Sequence, residues 1–196
     1  MAQAAPLILA SSSIYRRALL ERLQIPFQYV SPNTDESPQG AESPDALVRR
    51  LSLAKAEAVA RRHPDAVIIG GDQIAVGPKE TILGKPGTAD QACAQLAQLS
   101  GQAVRFLSGL CLLDATSGRS QVDIVVTTVR FRALEAGEIR RYVERDQPLD
   151  CAGALRSEAL GITLCEAIDS DDPTALMGLP LIRLATMLRR AGFTLP

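Results

Sequence analysis

The chain carries a single histidine, His63, among its 196 residues. It stands beside Pro64 at the end of a helical stretch and reads as a surface residue. A Ser-His-Asp mechanism or a histidine-held metal is therefore not expected. The four cysteines, Cys93, Cys111, Cys151 and Cys165, form no C-x-x-C pair. They read as reduced, mostly buried thiols of a cytosolic protein, not as a disulfide or zinc framework. No apolar run is long enough to span a bilayer. Met1 to Pro6 has neither the basic start nor the cleavable apolar segment of a secretory signal. A cytoplasmic protein with no membrane partner is the expectation. Neither charge is in excess: 21 Lys and Arg stand against 22 Asp and Glu, a net charge of −1. A phosphate backbone usually calls for a basic face, so no nucleic-acid polymer is expected as partner. A small phosphorylated ligand needs only a local cluster of cations and stays open. The phosphate-loop pattern G-x-x-x-x-G-K-[ST] is absent.

What is present is ordinary for a globular protein, 46% apolar and 22% charged. The length suits a single domain over 1–196. Pro6 to Ala10 reads as a strand, followed by Ser11, Ser12 and Ser13 and an amphipathic helix from Ile14 to Gln24. Phe27 to Ser31 is a second strand, and Pro32 to Ser43 a polar loop. Ser43-Pro44 opens a long helix to about Arg62. Ala66 to Gly71 is an apolar strand ending in Gly70-Gly71-Asp72-Gln73. A hairpin through Gly77-Pro78 leads to Gly84-Lys85-Pro86, and Thr88 caps a helix to about Leu99. Val104 to Leu113 and Val122 to Phe131 alternate as an antiparallel pair. Glu135 to Arg145 is helical, Gly161 to Ile168 a strand, and Leu179 to Arg190 a last amphipathic helix. The pattern predicts an α/β fold with a mixed sheet flanked by helices.

Four groups could carry chemistry. Ser11-x-Ser13-x-x-Arg16 sits at a strand-to-helix junction, where free N–H groups and a partial positive charge suit phosphate. On the pattern alone, a serine cap with two solvated arginines is the more ordinary reading. Asp35-Glu36 in the polar loop could bind a hard metal such as Mg²⁺ or simply be solvated. Asp72, after two glycines at a strand end, could hold a metal or accept a proton from an attacking water, or be a turn aspartate. Lys55, among alanines and leucines in mid-helix, and Lys85, in a tight turn, could neutralise phosphate oxygens or lie on the surface.

Taken together and in this order, these segments resemble the Maf family of nucleotide pyrophosphatases. The matching stretches are Leu9 to Arg17, Asp35-Glu36, Leu51 to Ala56, Gly70 to Gln73, Gly84-Lys85-Pro86, Asp150 to Gly153, Gly161-Ile162 and Gly178-Leu179-Pro180. They span nearly the whole chain. The resemblance implies an elongated fold like that of inosine triphosphatases, with a cleft between two lobes. It also implies a divalent metal cofactor (Mg, Mn or Co) and hydrolysis of a nucleoside triphosphate to monophosphate and pyrophosphate. Position by position, Ser11, Ser13, Arg16, Lys55 and Lys85 would hold the triphosphate, Glu36 and Asp72 the metal, and Asp72 would accept the proton. Ile14 departs from the family's usual proline. Tyr15, Gln73 and Glu158 resemble the branch acting on 7-methyl-GTP, a house-cleaning role; canonical pyrimidine branches carry Arg, Thr and Gln at these places. A tyrosine face attracts the cationic methylated guanine, and Glu158 would accept from guanine N–H groups. Two alternatives remain: a dTTP or UTP pyrophosphatase of the same family, and a non-catalytic nucleotide-binding regulator of cell division (septum formation). A homodimer is a family-level expectation.

Overall fold

In the computed structural model of the protein, residues 5–196 are described. The first four residues of the N-terminal stretch discussed above lie outside them. The strands are β1 (Leu7–Ala10), β2 (Gln28–Tyr29), β3 (Val67–Val76), β4 (Ile82–Leu83), β5 (Ala103–Asp114), β6 (Ser120–Phe131) and β7 (Cys165–Ser170). The helices are α1 (Ile14–Glu21), α2 (Pro44–Ala60), α3 (Ala89–Leu99), α4 (Ala136–Asp146) and α5 (Leu181–Arg190). The strands pair in the order β2-β1-β3-β5-β6-β7, with β4 on β3. Pairing of β1 with β2 and β3 is parallel, that of β3 with β4 and β6 with β7 antiparallel. The sheet is thus mixed and the α/β class as expected. None of the described helices is long and apolar enough to cross a membrane.

The chain divides into two compact units: one up to Asp72 with Ser108–Val125 and Asp172–Pro196, the other Gln73–Leu107 with Val126–Asp171. In the first, strand alternation accounts for two core layers. Leu7 and Leu9 face the same way as Val67, Ile69, Leu110 and Leu112, and are covered by Leu19 and Leu20 of α1 and Leu184 and Leu188 of α5. Ile8, Ala10, Ile68, Cys111 and Leu113 face the other way, against Ala56 and Val59 of α2. Because both faces are covered, β1 is apolar throughout. In the second unit α3 packs on α4, and Leu96, Leu99, Ile139 and Val143 are buried.

Helix starts follow their caps. Ser43 Oγ accepts from Ala46 N at 3.2 Å and Thr88 Oγ1 from Gln91 N at 3.3 Å. Glu135 and Glu138 form a reciprocal capping box on α4. Other boundaries differ from expectation. The first helix stops at Glu21, and Gln24 beyond it is left-handed, at φ 53°. The second strand shrinks to Gln28–Tyr29. Residues 160–164, expected in a strand, form a short 3-10 turn, and the strand runs Cys165–Ser170. There Gly161 lies so close to the Arg156 backbone that a Cβ would collide with it. The last helix begins at Leu181, not Leu179. Its first N–H groups are held by buried Asp172, whose Oδ2 accepts from Ile182 N at 2.7 Å. All four cysteines are free; Cys111 is buried and the other three half-buried.

Candidate active site

The site begins with the buried stripe of α2. Val48, Ser52, Lys55, Ala56 and Val59 recur at helical spacing and are all buried. Two glycines let this stripe press on the sheet. A Cβ at Gly70 of β3 would run into Ser52 O and stand 2.9 Å from Ala56 Cβ. One at Gly109 of β5 would run into Ser52 Oγ and stand 2.9 Å from Val48 O. The close approach carries Lys55 down to Asp72. Lys55 is 5% exposed and Asp72 7%, so Lys55 is no surface lysine.

Asp72 does not stand at a strand end. β3 continues through it to Val76. The two glycines that read as a terminator lie inside the strand, where Gly70 serves helix packing. The Gly71–Asp72 peptide is gripped at both poles. Its carbonyl accepts from Arg16 Nη1 at 2.8 Å, and its N–H donates to Ser52 Oγ at 3.1 Å. Ser52 Oγ itself donates to Val48 O at 2.7 Å.

The Lys55 ammonium then bridges two carboxylates. Nζ lies 2.6 Å from Asp72 Oδ1 and 2.6 Å from Glu36 Oε1. The Glu36 side chain is 57% exposed, whereas those of Lys55 and Asp72 are 7% and 9%. The trio therefore opens on the Glu36 side. Asp35 is turned to local work, its Oδ1 accepting from Ser37 N at 2.9 Å. Those bonds to Ser37 hold its carboxyl below the usual carboxylate range.

Arg16 joins from α1. Its Nε donates to Gly178 O at 2.8 Å, so two of its nitrogens are spent on backbone carbonyls. Burial pulls the guanidinium below its ordinary value, opposed by the fields of Asp72 and Glu36. Ser13 acts as the helix cap, Oγ accepting from Arg16 N at 3.3 Å, while Ser11 Oγ accepts from Ser13 N at 3.1 Å. The cap reading is realised at Ser13. Arg17 is not simply solvated: it lies over the Tyr29 ring, 4.8 Å from its centroid. Tyr15 is half-buried in the first turn of α1.

The structure brings Arg16, Glu36, Lys55 and Asp72 together, and Ser11, Ser13 and Tyr15 belong to the same unit. Three further candidates belong to the second unit. Gln73 is half-buried in β3, Lys85 is exposed just after β4, and Glu158 lies 3.8 Å from Arg156 Nε. Arg156 is anchored in turn, Nη1 donating to Asp146 O at 3.1 Å.

Sequence reasoning missed Ser52, Gly109 and the Gly178 carbonyl. A polar residue in the apolar stripe, three positions before Lys55, was the available signal for Ser52. The Gly178-Leu179-Pro180 stretch carries no sign that the Gly178 carbonyl meets Arg16; the Asp172–Thr174 turn places it, with Thr174 Oγ1 donating to Leu179 O at 2.8 Å.

A family model described as Maf-like protein matches residues 6–191. The 7-methyl-GTP pyrophosphatase of Pseudomonas aeruginosa is 53% identical over 190 residues, covering 97% of this chain and 98% of that protein. The 7-methyl-GTP pyrophosphatase of Burkholderia lata is 54% identical over 192 residues, covering 96% and 91%. Among solved structures, that of the Staphylococcus aureus Ham1 protein aligns with 64% of this chain and 71% of its own, at 12% identity and a TM-score of 0.47.

Proposed function

The chain belongs to the Maf family, and from that premise we propose that it hydrolyses a nucleoside triphosphate, 7-methyl-GTP, to the monophosphate and pyrophosphate. The observation that carries the reading is the buried Lys55 ammonium held between Glu36 and Asp72, with Arg16 beside them. A structural ion pair would need one carboxylate. A second, exposed one aimed at the same cation makes a place where charge can be exchanged. The likeness to the 7-methyl-GTP pyrophosphatases of Pseudomonas aeruginosa and Burkholderia lata supports the substrate.

The residues fit a divalent cation. Glu36 and Asp72 offer hard oxygens that converge within one cation's reach. Among the described residues no group of three or more His, Cys, Asp or Glu could hold a metal. That suits an ion such as Mg²⁺, Mn²⁺ or Co²⁺ whose sphere is completed by phosphate oxygens. When bound, it supplies charge neutralisation on the phosphates.

In the proposed reaction Asp72 accepts a proton from a water whose oxygen attacks the α-phosphorus. The bond from that phosphorus to the bridging oxygen breaks, and pyrophosphate leaves with the electron pair. Lys55, Lys85 and Arg16 hold the charge that develops, and Ser11 and Ser13 line the phosphate end. Tyr15 would stack on the cationic base. Glu158 would accept from guanine N1–H and N2–H₂, with Gln73 beside the base. Uracil and thymine lack that donor pair and would leave Glu158 with only its ion pair to Arg156. A homodimer, implied by the family likeness, and a cytoplasmic location, expected from the sequence, complete the proposal.

Pyrophosphate release from GTP, 7-methyl-GTP, UTP and dTTP with each metal tests it. Preference for 7-methyl-GTP is expected. Preference for UTP or dTTP would keep the enzyme and overturn the base reading, and no release with any metal would favour a non-catalytic nucleotide-binding regulator. Asp72→Asn should abolish turnover while the fold persists; near-normal turnover would remove Asp72 as the base.

A further inference from the structure

We propose that Lys55 is an internal stand-in for the divalent cation, which leaves the space between Glu36 and Asp72 only when a triphosphate receives its ammonium. The inference rests on the reading of Glu36 and Asp72 as metal ligands. Its ground is the placement of one nitrogen 2.6 Å from an oxygen of each. A divalent ion held by the same two carboxylates would occupy the space that the ammonium fills. The two cations would then claim the same volume, and like charges at such range repel. The gap admits one of them at a time.

Ligand number works in Lys55's favour before a nucleotide binds. Two carboxylates are a poor set for a divalent ion, and no third His, Cys, Asp or Glu joins them among the described residues. Phosphate oxygens supply the missing ligands. They also supply a new anion for the ammonium, which can swing on its flexible stem while the stem stays packed. The way out is toward the exposed Glu36, because the Asp72 side is closed. Asp72 cannot lose its cation without a replacement, since an unpaired buried carboxylate is costly. Metal entry, lysine exit and phosphate binding are thereby coupled, and the coupling is reciprocal.

The test is Mn²⁺ binding, read from the electron paramagnetic resonance of the free ion. Wild type and Lys55→Met are compared with and without the α,β-methylene analogue of 7-methyl-GTP. Wild type should bind Mn²⁺ weakly alone and more than about tenfold tighter with the analogue. Lys55→Met should bind Mn²⁺ alone at least about tenfold tighter than wild type, and the gain from the analogue should shrink by as much; Lys55→Arg should restore the wild-type pattern. Equally weak binding by wild type and Lys55→Met, or an unchanged gain, overturns the proposal. If Lys55→Met does not fold, Glu36→Gln decides. It should lower Mn²⁺ affinity at least about tenfold in the presence of the analogue, and an unaltered affinity overturns the proposal. The functional reading fails separately: no pyrophosphate release by wild type, with the Mn²⁺ pattern intact, removes the activity and leaves the stand-in.

Discussion

Removing one hydroxyl tests whether the Gly71–Asp72 peptide is held as the geometry says. Ser52 is fully buried, and its Oγ accepts from Asp72 N at 3.1 Å and donates to Val48 O at 2.7 Å. In Ser52→Ala the Val48 carbonyl loses a second partner, a small loss. The Asp72 N–H loses its acceptor in a place closed to water, which costs about 1–3 kcal/mol. At 2–4 °C per kcal/mol for a chain of this size, Tm should fall by about 2–12 °C. The catalytic effect should exceed what stability alone explains. The side chain of Asp72 hangs from that peptide, and misplacement by an ångström can cost about a hundredfold. We expect kcat to drop roughly ten- to a hundredfold, with KM changing little. Calorimetry and steady-state pyrophosphate release measure both. Thr127→Val is the control: its buried hydroxyl donates to Ser170 Oγ at 2.8 Å, so it should lower Tm without a kcat defect. An unchanged Tm and kcat in Ser52→Ala would refute the argument. So would a kcat loss equal to that of Thr127→Val.

Gly70→Ala should be worse for stability, because the new methyl meets helix backbone that cannot step aside. Overpacking of this kind costs about 1–3 kcal/mol or more, measurable by urea unfolding; a neutral result would mean that α2 does not press on β3. Arg132 holds the Glu138 carboxyl down at about 2, below its unfolded value of about 4.3. That contribution is present above about pH 4.3 and is lost as pH falls through about 2. Glu138→Gln should therefore flatten the stability profile between those limits, and an identical acid profile would count against the pair. Burial pushes the Cys111 and Cys151 thiols up to about 12, so the reactive thiolate is scarce at pH 8. Iodoacetamide should label both slowly in the native protein and rapidly in urea, and fast native labelling followed by mass spectrometry would contradict this.

How much of this was legible in the sequence depends on range. Helix starts at Ser43 and Thr88 are set by side chains three residues from the N–H they cap, and their positions agree with the reading. The end of β3 was misjudged because glycine pairs punctuate chains locally. At Gly70 the glycine answers instead to α2, fourteen residues back at Ala56. The 3-10 turn at 160–164 likewise depends on Arg156 backbone against Gly161. In the site, an ammonium within an apolar stripe singled out Lys55, yet its residue type alone could not distinguish burial from surface. Pairing it with Asp72 and Glu36 took the close helix–sheet contact, which Ser52 and Gly109 make possible through shape and leave no pattern of charge or periodicity. Arg16 was read as a phosphate ligand, and its two carbonyl partners, Gly71 and Gly178, are separated from it by 55 and 162 residues.

The four charges of the candidate site bear on the proposal that a cation and an anion arrive together. Arg16 and Lys55 face Glu36 and Asp72, two cations against two anions, and Arg16 feels both carboxylates. A triphosphate entering alone would gain the cations but meet the carboxylates. A divalent ion entering alone would gain the carboxylates but meet the ammonium that already lies between them. On the proposed reading each ligand would relieve the repulsion felt by the other: the phosphates would receive the ammonium, and the metal would take its place between the carboxylates. A site charged with one sign would bind one ligand more tightly, and would hold it in the absence of the other. On the proposed reading, balanced charge with one exposed carboxylate would give up that affinity for a requirement that both be present before Asp72 is released from Lys55.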